Sequence, residues 1–411
     1  MGRRKRREVR KKKLSQNTDK PRALVSAAVS DAPASWPQFR GPKRDGRVNW
    51  LPSSLPDKLE PVWEIDLPST GVGGICVGEQ QVIIGSRDPA DRADLFQAFS
   101  RESGELLWQA LTPAVGQLDY GNSPRATPLI YESLVITFGA FGDLSCIDLE
   151  TGIQLWHVNF QRDFGAPMPD WGFCGSPIIV DEQLIVQPGA SDAALAALDI
   201  ISGEVLWKVD GAPAVYASLV QDGQQVIGLD KLGIAGWSAS DGKNLWRITP
   251  SVTGDFGVPS VVPTSFGLLL ASENNGTRLV KYDGKVAESE IIGVEKKAAP
   301  DSHTPVVIGN SAFVADKRLY CLSLDQELKS RWVINDRAFR GYTSLIASQE
   351  RLLALTAGCE LLLVDIENGK ISDRLKLSNR NMRTLSHPAL VGSQLYVRLG
   401  KKLMRLELSS N

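Results

Sequence analysis

The chain has 411 residues, 43% of them apolar and 7% aromatic, with a net charge of −1. That composition is ample for a buried core, and no stretch approaches the roughly 18 apolar residues of a spanning helix, so a transmembrane segment is not expected. The five cysteines, at 76, 146, 174, 321 and 359, are odd in number and have no close pair, which excludes a disulfide framework and a zinc-ligand spacing.

At the start of the chain, residues 3–13 (RRKRREVRKKK) hold nine basic side chains and one acidic, a local charge of +8 that leaves the rest at −9. A run of like charge this dense repels itself, is expected to be disordered, and is able to attract nucleic acid or an anionic membrane. Residues 23–30 (ALVSAAVS) then form a short, weakly apolar run, and Ala32-Pro33-Ala34 has the small-x-small form of a cleavage site. Residues 1–34 are therefore read as a basic disordered tail or a weak export signal, leaving the compartment open between cell envelope or periplasm and cytoplasm. Residues 35–60 are expected as an extended lead-in, and 61–411 as one repeat domain, expected to be a monomer.

The repeats carry most of the information. Four segments share alternating positions, a turn and Gly-x-x-x-Trp: 98–108 (AFSRESGELLW), 146–156 (CIDLETGIQLW), 197–207 (ALDIISGEVLW) and 236–246 (GWSASDGKNLW). Weaker copies follow at 280–288, 321–332, 363–373 and 404–411, with Glu288 and Asp373 standing where other copies have Trp. The mean period of about 44 residues lies in the range of four-stranded propeller blades. A second series precedes the first, at 75–84, 127–137, 176–186, 218–228, 260–272, 304–314, 344–355 and 387–397. Each member is an apolar run, a short polar turn and an apolar run, the pattern of a hairpin. The expected fold is all-β: an eight-bladed β-propeller of four-stranded antiparallel blades. The corner Gly supplies positive φ. Trp108, Trp156, Trp207, Trp246 and Trp332 are expected to dock blade on blade, with the indole N–H on a backbone acceptor at the turn. The last copy stops at Asn411 without its Trp strand, whereas 61–69 (PVWEIDLPS) is a Trp strand without its copy, so the two are expected to pair and close the ring.

These residues resemble the pyrroloquinoline-quinone-like, or quinoprotein-alcohol-dehydrogenase-like, propellers, whose motif runs Ala-x-Asp-x-x-Thr-Gly-x-x-x-Trp; 146–156 and 197–207 match it nearly completely. The segment Trp36-Pro37-Gln38-Phe39-Arg40-Gly41-Pro42 and those around Pro124–Pro128 and Trp171-Gly172-Phe173 are similar to a planctomycete-type bacterial subgroup. The same fold serves an outer-membrane assembly lipoprotein, a non-enzymatic scaffold, so fold alone does not choose a function.

Enzymes of that resemblance bind quinone and calcium in the central funnel, with Glu, Asn and Asp on the calcium and many with adjacent cysteines. No Cys-Cys pair occurs here and no matching Glu, Asn and Asp set is identifiable, so no cofactor or metal is expected; pyrroloquinoline quinone with calcium is the alternative. Residues just ahead of the inner strands are candidates for the funnel rim, Arg125, Gly175, Tyr216, Val258, His303, Tyr342 and His387, with Asp119, Trp171, Arg340 and Arg383 on the entering loops. A basic and aromatic set of this kind suits an anionic or peptide ligand. Thr127, Ser176, Ser218, Ser260, Thr304 and Ser344 are read as small hydroxyl residues bonding local backbone near a crowded axis. No phosphate loop, metal helix or nucleophile elbow is present. The leading expectation is a non-enzymatic scaffold binding a protein or small anionic ligand at the funnel or loop face, and the alternative is a quinone-dependent oxidoreductase with a divergent site.

Overall fold

Each hairpin and the corner that follows it fold into one four-stranded antiparallel sheet, and the computed structural model, which describes residues 34–284, 290–378 and 382–408, has eight such sheets among them. The basic run, the cleavage-like Ala32-Pro33-Ala34 up to residue 33, and Glu288 lie outside the described residues. In chain order the inner strands are Cys76–Val77, Leu129–Tyr131, Ile178–Val180, Val220–Asp222, Val262–Thr264, Val306–Ile308, Thr343–Ala347 and Ala389–Val391, which define blades 1 to 8. The inner strand of blade 1 adjoins those of both blade 2 and blade 8, so the ring is closed. The second and third strands of each blade are covered on both faces by neighbouring blades, which is why Leu361, Leu362, Leu363 and Val364 form an unbroken buried run. The outermost strands meet solvent on one face and alternate, as in Leu106–Pro113.

The corner tryptophans hold the ring together one blade at a time. Trp108 of blade 1 donates its indole N–H to the Leu149 carbonyl of blade 2 at 2.8 Å, and its ring lies over Gly152. Gly152 has φ 73°, and a β-carbon there would come within 2.7 Å of Trp108, so a side chain is refused both by the turn and by the ring. Trp156 repeats the bond to Ile200 at 2.9 Å and Trp332 to Ile366 at 3.0 Å, each over the next corner glycine. Trp207 and Trp246 depart from the expected backbone acceptor: they donate instead to Gln183 and Gln225 of their own blades, at 2.9 and 2.7 Å.

Two blades lack the Trp, for different reasons. Across from Leu279 of blade 5 the slot belongs to Gly293 and not to Glu288, where the repeat pattern put it. Gly293 lies against the Glu327 backbone, where a side chain has no room; Glu327 and Leu328, at φ 56° and 64°, make that corner without glycine. In blade 7 the slot is Asp373, opposite Leu363, as the repeat pattern expects. The copy that follows, 404–411 (MRLELSSN), carries no glycine for a Trp to cover.

Closure follows the expected pairing. Pro61–Asp66 runs antiparallel to Lys402–Glu407, and Trp63 donates to the Arg101 carbonyl of blade 1 at 3.2 Å. Arg398, 1% exposed, donates from blade 8 to the carbonyls of Gly85 and Ser69, so the seam has a buried cationic staple as well as a ladder.

Candidate functional site

Around the axis, the residues that precede the inner strands are joined by a relay. The backbone N–H of Thr127 donates to Ser176 Oγ, that of Ser176 to Ser218 Oγ, that of Ser218 to Ser260 Oγ and that of Ser260 to Thr304 Oγ1, all at 3.0–3.1 Å. The hydroxyls therefore bond the neighbouring blade and not the local backbone, because the inner strands converge closely enough for each N–H to reach across.

The axis itself is filled by residues 36–48. Trp36 exchanges backbone hydrogen bonds with Val77 on the open edge of blade 1, and the Pro37 carbonyl accepts from Ile130 of blade 2. The segment expected as an extended lead-in then makes two tight turns, with Gly41 N–H on the Gln38 carbonyl and Arg44 N–H on Gly41, before Gly46 and Val48 pair with Ala347 of blade 7. Gly41 is needed because a β-carbon would meet the Trp36 ring at 2.9 Å. Two buried arginines anchor the tip: Arg40 donates to the Pro305 carbonyl at 2.6 Å, and Arg44 to those of Ser176 and Pro177 at 2.9 Å. Both hold positive φ, 58° and 57°, a strain the buried hydrogen bonds offset. Burial lowers Arg40 to about 10 and, with Arg40 as a like-charged neighbour, Arg44 to about 9, so both stay cationic at neutral pH.

The candidate rim residues divide into groups. His387 and Tyr342 face this inserted segment, His387 edge-on to Phe39 at 5.0 Å and to Tyr342 at 5.7 Å. Burial pushes His387 down to about 3 and His303 to about 4; the neutral His303 donates from Nδ1 to the Thr343 carbonyl at 2.8 Å. His303 and Arg340 line a polar depression of about 680 Å³ together with Asp316, Lys317 and Arg318. Arg125 is spent on its own loop, donating to the carbonyls of Ser123, Asp119 and Gly121. Arg383 is exposed.

Trp171 and Tyr216 do come together. Their rings lie 4.9 Å apart, and Phe256 at 4.7 Å and Tyr120 at 6.4 Å also meet Trp171, so three rings gather around it. Tyr216 and Phe256 also line a cavity of about 600 Å³ on the face where the loops enter blades 3 to 5. Its size is that of a small-molecule site, apolar with a few placed polar groups. Two of those groups escaped the sequence reading, Ser272 and Arg278. The available signal was that Arg278 is the one charge in the interior strand position that carries Ser145, Ala196, Ala235 or Leu362 in other blades.

A quinone with calcium needs room at the axis and converging oxygen ligands. At that level stand Phe39, Arg40 and Arg44, and among the described residues no three His, Cys, Asp or Glu side chains converge. The residues present do not fit the group.

Comparison with known proteins agrees with the architecture. The model of the family described as outer membrane protein assembly factor BamB matches residues 58–167 and 97–333. A curated relative, the quinohemoprotein alcohol dehydrogenase ADH-IIG of Pseudomonas putida, is 24% identical over 242 residues; the match takes in 52% of this chain and only 31% of that protein. Among solved structures, BamB from Moraxella catarrhalis superposes with a TM-score of 0.63 at 15% identity, over 86% of this chain and 99% of that one. A quinohemoprotein alcohol dehydrogenase from Comamonas testosteroni gives 0.66 at 12% identity, over 92% and 81%. Likeness at these identities speaks to fold. Among the described residues no helix is long and apolar enough to cross a membrane.

Proposed function

The chain belongs to the PQQ-like propeller-repeat family described as outer membrane protein assembly factor BamB, and from that premise we propose that it is a non-enzymatic scaffold binding a small anionic ligand or a protein at its loop face. One observation carries this reading: the axis, where the enzymes of the resemblance hold their cofactor, is filled by residues 36–48, bonded to blades 1, 2, 3, 6 and 7 through backbone and arginine contacts. Binding is thereby left to the loop face, where the aromatic cluster and its cavity offer surface that a ligand can cover.

The competing reading, a quinone-dependent oxidoreductase with a divergent site, draws on the likeness to the alcohol dehydrogenases. Purified protein mixed with pyrroloquinoline quinone and calcium, then assayed for dye reduction with alcohols and sugars, separates the two. The scaffold reading expects no rate above the protein-free control. Sustained turnover at stoichiometric quinone overturns it.

A further inference from the structure

In blade 5, Leu268, Leu270 and Ser272 on the second strand lie opposite Val280, Arg278 and Gly276 on the third, so all six positions share one sheet face. Leu268, Leu270 and Val280 pack against Ile227, Ile234 and Trp246 of blade 4, and the apolar interface ends there. Arg278, opposite Leu270, and Ser272, one pair further along opposite Gly276, line the cavity.

Both side chains are deeply buried and neither is hydrogen-bonded among the described residues; Asp255 attracts Arg278 through space without reaching it as an ion pair. Arg278 is 6% exposed and Ser272 5%, and neither Arg278 Nε nor Ser272 Oγ has a hydrogen-bond partner among the described residues. The acids of the cavity are already committed. Asp230 takes both ends of the Arg247 guanidinium at 2.6 and 2.7 Å, and Asp255 accepts from Asn274 and Asn275 at 2.9 and 2.7 Å. Asp170 is exposed to water. A buried guanidinium with unused donors is costly, and a planar anion that accepts two parallel N–H bonds relieves that cost.

On the premise that the loop face binds ligands, we propose that this cavity recognises an organic carboxylate: Arg278 takes the carboxylate, Ser272 donates a further hydrogen bond to it, and Tyr216 and Phe256 carry an apolar or aromatic body. The cavity has room for such a body, and its aromatic wall is open, with Phe256 49% exposed. The carboxylate belongs either to a free aryl acid or to the C-terminus of a peptide ending in an aromatic residue.

Calorimetric titration of the full chain at low salt tests this with two pairs of probes, indole-3-acetate against indole-3-acetamide and Ala-Ala-Phe against its C-terminal amide. The expected result is binding of at least one acid, with its amide weaker by about tenfold or more, as for a charge-assisted bond lost to a neutral one; the pair that shows the preference identifies the source. Arg278→Gln is expected to erase the preference, Arg278→Lys to keep part of it because the fork is lost and the charge is not, and Arg351→Gln, on the opposite face, to leave it intact. In ligand-free protein, Arg278→Met is expected to leave the melting temperature unchanged or higher, since no hydrogen bond or close ion pair is broken; an arginine with a merely structural role would lower it. Equal binding of acids and amides overturns the carboxylate assignment and leaves the scaffold reading standing. No binding by any probe, or a preference that survives in Arg278→Gln, also overturns the assignment. Dye reduction in the quinone assay overturns the scaffold reading independently of these outcomes.

Discussion

Replacing Trp108 by Ala removes a side chain that is 7% exposed, lies on the bare corner at Gly152 and bonds the Leu149 carbonyl of the next blade. A large aromatic buries about 150–250 Å², worth up to about 4–6 kcal/mol at 25 cal/mol per Å². Glycine has no side chain to fall into the space, and some of that area is covered in the unfolded chain too, which brings the expected loss to about 3–5 kcal/mol. Trp108→Phe keeps most of the ring contact and drops the N–H donor, for about 1–2 kcal/mol. Trp156 and Trp207 are only half-buried, so their alanine variants are expected to lose less, about 2–3 kcal/mol. Asp373→Ala occupies the same slot with no glycine corner ahead of it and is expected within about 0.5 kcal/mol of the parent. Guanidinium denaturation followed by circular dichroism reads all five. Equal losses for Trp108→Ala and Asp373→Ala would refute the view that the ring is held by Trp on Gly contacts.

Two further outcomes follow from the axis. Arg44→Ala leaves the Ser176 and Pro177 carbonyls without their donors and is expected to cost about 2–3 kcal/mol and to open residues 36–48 to trypsin; unchanged digestion there would mean that the backbone pairing of Trp36 and Val48 suffices. His303 takes up its proton near pH 4 when folded and near 6.5 when unfolded, so between those values the unfolded chain binds more protons. Stability is therefore full above pH 6.5 and falls as pH drops toward 4, by about 3 kcal/mol for this group. Denaturation midpoints at pH 7, 5.5 and 4.5 should fall more steeply for the parent than for His303→Asn, and parallel profiles would contradict the assignment.

The repeat period, the Gly-x-x-x-Trp corners and the unpaired halves at the two chain ends were all readable along the chain, because each reflects local turn chemistry or strand alternation that recurs every blade. They were enough to determine eight four-stranded sheets and the pairing of Pro61–Asp66 with Lys402–Glu407. Trp171 and Tyr216 could be singled out as aromatics on loops that enter inner strands, but that their rings meet is decided by how those loops fold together. Residues 36–48 were not legible, because nothing in a non-repeating segment says that its arginines will meet carbonyls of Ser176 or Pro305, far along the chain. Nor did Glu288 reveal that its slot had passed to Gly293, a matter of how blade 5 packs on the Glu327 corner. Arg278 was visible as a charge in a strand, but whether it is paired depends on Asp230 and Asp255 being taken by other groups. Periodic local chemistry is written in one dimension; who is left without a partner is decided only when distant segments have closed around the same space.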